Sequence, residues 1–154
     1  MPWLGGFFLP RPGARASLAP VPTPAIVIHS LAHAEAALAA AAAADVPVTL
    51  LSAPGAAGTV GPAWFAAVIA RAAAAHPTAR FTAALDCGDA PGLALAALRT
   101  GLTTLSLDAS PRARTKVAEI AAAQGAALIE RPRRALDLLD APEPATACRD
   151  FLAG

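Results

Sequence analysis

The run Phe81-Thr-Ala-Ala-Leu-Asp-Cys-Gly-Asp89 leads an apolar stretch into three residues able to do chemistry: Asp86, Cys87 and Asp89. A carboxylate such as Asp86 can take or give a proton, and a thiolate such as Cys87 can bind a metal. Further on, Leu107-Asp-Ala-Ser110 repeats the design, with Asp108 and Ser110 closing a second apolar stretch. In parallel α/β sheets ligands bind at the C-terminal ends of the strands. Two Asp-bearing strand ends in successive βα units therefore define a candidate mouth. Each residue also has a structural reading. Asp89 is placed to cap a helix beginning near Pro91, and Asp108 and Ser110 to cap one beginning at Pro111. Cys87 suits a small buried position. For Asp86 both readings stay open.

Other residues carry less. His29 and Ser52 end two earlier apolar runs and join the candidate ligand-facing set. His29 and His33 have helical spacing, but one lies at a strand end and the other inside a helix, which suits polar residues at a helix entrance better than a zinc pair. His76 falls at a helix C-terminus, where an imidazole suits the dipole. Pro54-Gly-Ala-Ala-Gly58 offers backbone amides to an anion, yet it lacks the lysine of a phosphate loop. Arg131, Arg133 and Arg134 read as a solvated basic patch, with an acidic ligand or partner as the alternative. Cys148 lies in the C-terminal segment and suggests no role.

The elements that must position these residues alternate regularly. Apolar strands are expected at 25–29, 46–52, 81–86, 103–108 and 126–130, with helices at 31–44, 62–75, 91–99 and 111–123. Pro62 and Pro111 suit first helical positions, and Gly125 suits a helix stop. One or two helical turns are expected over 134–139. Continuous apolar strands between helices predict a parallel α/β sheet of about five strands. The pattern reads as a sheet covered on both faces, flavodoxin-like and doubly wound; half of a (β/α)8 barrel is the alternative that the resemblance given below implies. The domain is expected over 25–140, after a proline-rich arm at 1–24 in which Trp3, Phe7 and Phe8 can dock, and before a tail at 141–154.

Composition narrows the partners. The chain has 154 residues, enough for one domain with a proper core. A net charge of +1 gives no electrostatic reason to expect nucleic acid or an anionic membrane. No apolar run has the length of a spanning helix. The leader-like start has its arginines after the apolar residues, the reverse of a secretory signal. Two cysteines do not make a disulfide framework, so a cytoplasmic location is expected. With 56% apolar and only 15% charged residues, and with a half sheet that leaves its edges and inner face open, a homodimer is expected.

From Ala25 to about Glu130 the order of elements resembles the first half of class II fructose-bisphosphate aldolases, which are zinc-dependent (β/α)8 barrels. Leu85-Asp-Cys-Gly88 sits where that family has an Asp-His pair. Ala97-Leu-Arg-Thr-Gly-Leu102 and Leu107-Asp-Ala-Ser110 resemble its next helix and its Asp-Gly-Ser strand end. Val46-Pro-Val-Thr-Leu-Leu-Ser52 resembles its second strand. The resemblance covers about two thirds of this chain and about half of the family's barrel.

The resemblance implies proton transfer at Asp86, and it puts Cys87 where the family has a zinc-binding histidine. The family's later ligands and glycine-rich phosphate site belong to strands beyond those read here, and its glutamate-rich fifth strand end is reduced to Glu130-Arg-Pro132. Catalytic zinc takes three protein ligands, and aldol cleavage needs the metal to stabilise the enediolate. No cofactor is therefore expected, unless Cys87 serves zinc. The leading expectation is a non-catalytic binding or assembly module. The alternative is a small-molecule protein for sugar-phosphate-like ligands, or a lyase-type enzyme, with a site at Asp86 completed by a second subunit. A receiver-like signalling domain fits poorly, because His29-Ser30 and Glu130-Arg131 stand where it needs an acidic pair and a lysine.

Overall fold

The computed structural model describes residues 23–154, so the expectations for the arm at 1–22, including Trp3, Phe7 and Phe8, lie outside the described residues. Strands β1 (Ala25–Val27), β2 (Val48–Leu51), β3 (Phe81–Asp86), β4 (Thr104–Ser106) and β5 (Ala127–Ile129) form one all-parallel sheet with β6 (Leu136–Asp137), in the order β5-β4-β3-β2-β1-β6. Helices α1 (Leu31–Ala44), α2 (Ala56–Thr59), α3 (Pro62–Ala75), α4 (Pro91–Leu98), α5 (Pro111–Ala123) and α6 (Pro144–Ala153) make the connections and the C-terminus. The first five strands are neighbours in chain order. Right-handed crossovers without a reversal put their helices on one face, where a doubly wound sheet would have them on both. The row α6, α1, α3, α4, α5 follows that rule, which is the half-barrel arrangement.

The core lies between this row and the outward residues of the strands. Ile26, Leu50, Leu85 and Leu105 meet Leu38, Phe65, Ala72, Ala97 and Val117 there. Alanine at 34, 37 and 41 lets α1 approach its neighbours closely, and all three are buried. Proline at the first turn of α3, α4, α5 and α6 sets φ without losing a helix hydrogen bond.

Two expectations near the C-terminus are corrected. Residues 134–139 form no helical turn; Leu136 and Asp137 pair with Ile26 and Val27 as β6. Two residues carry no periodicity of their own, and the free edge of β1 decides their conformation. The segment 141–154 is not a tail, because its residues 144–153 form α6 against α1 with Cys148 fully buried. Ala147, Cys148, Phe151 and Leu152 supply the helical stripe that makes this possible.

The inner face is also not open as expected. Ala25, Val27, Leu51 and Ala84 are buried there, with Ile129 and Ala135 packed on them. The covering is the strap 130–135, which leads from β5 at one edge to β6 at the other. Five strand spacings in a flat sheet come to about 24 Å. A six-residue link would span that only if fully extended. The strap instead bends at Arg133 and Arg134, so the sheet curls and brings its edges together. No helix among the described residues is long and apolar enough to cross a membrane.

Candidate functional site

Strand alternation sends neighbouring residues at the end of β3 to opposite sides. Asp86 faces inward beside Ser106 of β4, its register partner, while Cys87 faces the helix-side core. The Asp86 carboxylate gathers four partners, three of them distant in sequence. Its Oδ1 accepts from the backbone N–H of Gly55 at 2.7 Å and of Gly88 at 2.9 Å. Its Oδ2 accepts from Ser106 Oγ at 2.7 Å and lies 3.5 Å from Arg131 Nη1. Burial alone would raise the Asp86 pKa. The donors at Gly55, Ser106 and Gly88 and the Arg131 charge outweigh it and hold the carboxyl below its ordinary value.

The supporting backbone is built for this. Gly55 and Gly88 adopt left-handed φ of 67° and 56°, which turns both amides toward the carboxylate. Ser52 is buried, accepts from the Asp86 N–H at 2.9 Å and donates to Ala53 O. Arg131 Nη2 donates to Ser52 O at 3.0 Å. One carboxylate thus ties the loop after β2, the ends of β3 and β4, and the strap into a single cluster.

A cavity of about 520 Å³ opens beside the cluster, lined by Gly55, Asp86, Ser106, Asp108 and Arg131 among others. Of the residues singled out from sequence, Asp86, Asp89, Asp108, Arg131 and Arg133 meet in this cavity and Ser52 supports it from behind. Asp108 is exposed at the rim, and only its backbone N–H is engaged, on Gly88 O at 2.7 Å. Ser110 caps α5, accepting from the Ala113 N–H. His29 is part of a separate group at β1 and β6, with its Nε2 2.7 Å from Asp137 Oδ1 and its backbone N–H on His33 Nδ1. Asp89 is not the cap of α4; Ala90 holds that position without a side-chain bond, and Asp89 lines the cavity. Proline at the first position of α4 has no N–H, so less remains there for a cap to satisfy. The Gly55 amide that a phosphate would seek is already given to Asp86.

Arg131 is the site residue missed in the basic patch. Its signal is its place just past the end of β5, the same level at which β3 and β4 present Asp86 and Asp108.

Zinc does not fit this mouth. Cys87 is 1% exposed and turned away, and its thiol is pushed up to about 11, by burial first and by the Asp86 charge second. A ligand must be thiolate. Among the described residues no three His, Cys, Asp or Glu side chains come together as a metal requires.

A comparison with curated proteins finds no match. The family model for class-II fructose-bisphosphate aldolase matches residues 14–127, about three quarters of the chain, including β1 to β4 and the whole of the Asp86 turn. With its first five strands in sequential order and an Asp at the end of β3, the chain belongs to the class-II fructose-bisphosphate aldolase family.

Proposed function

We propose that this chain is a non-catalytic member of the family, a binding or assembly module that keeps the mouth of the half barrel as a small-molecule pocket. The observation that carries the reading is the commitment of Asp86. A general base needs an accessible lone pair and a pKa near the working pH. Here both carboxylate oxygens are occupied by internal donors and the pKa is lowered. The carboxylate is a tie between loops rather than a proton carrier. Two free buried thiols suit a reducing compartment such as the cytoplasm. A chain with 56% apolar and only 15% charged residues favours self-association, so a homodimer is part of the proposal.

The test is a coupled assay for triose phosphate release from fructose bisphosphate at neutral pH with zinc added, alongside native mass spectrometry for subunit count and bound mass. No cleavage above the blank is expected. Zinc-dependent cleavage that disappears in Asp86→Asn would overturn the proposal. It would favour the second reading, a lyase-type site completed by another subunit, for which the rim position of Asp108 beside Asp86 speaks.

A further inference from the structure

Beyond the Asp86–Arg131 pair, five charged side chains line the same cavity: Arg114 from α5, Arg133 from the strap, Asp89, Asp108 and Glu130. Among the described residues none of these five forms an ion pair. Two cations and three carboxylates therefore face one space without partners in the fold. Arg131 reaches the same cavity. Its Nη1 is buried without a hydrogen bond, 3.5 Å from Asp86 Oδ2, and among the described residues it is the one buried side-chain polar atom in that state. That atom is turned to Asp86, and a ligand meets the part of the guanidinium that lines the cavity.

We propose that the cavity binds a small hydroxylated monocarboxylate. The carboxylate answers the guanidinium groups of Arg131, Arg133 and Arg114, whose planar forks suit it. The hydroxyls donate to Asp89, Asp108 and Glu130. A neutral polyol leaves the guanidinium side unanswered. A doubly charged phosphate ester brings a second negative charge into a space that already holds Asp89, Asp108 and Glu130, and is disfavoured relative to a monocarboxylate. The volume of about 520 Å³ lies in the range of small-ligand sites. This assignment rests on the binding reading above and gives it a ligand class.

The test is calorimetry on the full chain at fixed ionic strength with three probes: gluconate, sorbitol and the phosphate monoester of glucose. Gluconate is expected to bind at least about tenfold more tightly than either of the others. Arg133→Gln changes an exposed side chain that holds nothing in the fold. It is expected to weaken gluconate by roughly fivefold or more, with the unfolding midpoint of the free protein unchanged. Arg131→Gln should weaken binding further. Equal or tighter binding of the phosphate ester, gluconate binding indifferent to Arg133→Gln, or no binding of gluconate would each overturn the assignment. If gluconate fails and fructose bisphosphate is not cleaved, only the ligand class falls. Asp86-dependent cleavage would remove the binding reading itself, whatever gluconate does.

Discussion

The two faces of this sheet come from the same strands and solve opposite problems. On the helix side Ile26, Leu50, Leu85, Cys87 and Leu105 meet α1, α3, α4 and α5 in a continuous apolar core. On the inner side small and polar residues, Ala84, Thr104, Ser106 and Asp86, sit under a strap that brings its own arginine. The first face is held by area removed from water, which is non-directional and tolerant of detail. The second is held by directed hydrogen bonds converging on one carboxylate, which depend on every partner. Asp86 and Cys87 are adjacent in sequence, yet the period of the strand gives one a charge to hold and the other a thiol to bury.

The difference between the faces is open to attack from either side. The largest effect is expected on the helix side, where Phe65 is fully buried. Phe65→Ala should cost about 3–5 kcal/mol, read as a lower urea midpoint with an unchanged slope. On the inner side Asp86→Ala should cost about 3 kcal/mol, because Ser106, Arg131 and two glycine amides lose their acceptor together. If it costs no more than an ordinary surface substitution, the cluster is not a tie.

The same carboxylate gives a pH signature. A carboxyl whose pKa is lower folded than unfolded leaves the unfolded chain binding more protons, so stability rises with pH across that window. The contribution of Asp86 is complete above about 3.9 and is lost as the pH falls toward its depressed folded value. Asp137 is depressed too. Burial would raise it, but the Leu139 N–H and His29 outweigh this. Asp86→Asn should therefore flatten the acid limb in urea titrations only in part, and adding Asp137→Asn should flatten it further.

Thiol chemistry separates the faces more gently. With Cys87 and Cys148 both pushed up to about 11, labelling by an aromatic disulfide in the native state should be at least about a hundredfold slower than in urea. Fast native labelling of Cys87 would put it at the mouth beside Asp86. The smallest effect belongs to Ser110, whose side chain caps α5. Ser110→Ala should cost about 1 kcal/mol and leave gluconate binding intact.

Much of the fold was legible because its signals are local. Pro62, Pro91 and Pro111 mark helix starts that the structure keeps, and Phe81–Asp86 reads as a strand from its apolar run and the turn after it. The strand ends at Asp86 and Asp108 were also readable, since βα alternation fixes which end faces the mouth. What could not be read depends on the path of the chain. β6 exists only because β1 offers an edge, and Arg131 matters only because the strap recrosses the inner face. No spacing in Glu130-Arg-Pro-Arg-Arg134 says which arginine turns inward. The stripe in α6 was readable, by contrast, from Ala147, Cys148, Phe151 and Leu152.

The commitment of Asp86 is tested most directly by carboxyl carbon NMR, titrating the aspartate side chains in the wild type and in Arg131→Gln. Asp86 is expected to titrate below the ordinary carboxylate range and to move upward when Arg131 is removed. An Asp86 that titrates close to neutrality in the wild type would contradict it, because that is the behaviour of a proton-transfer residue.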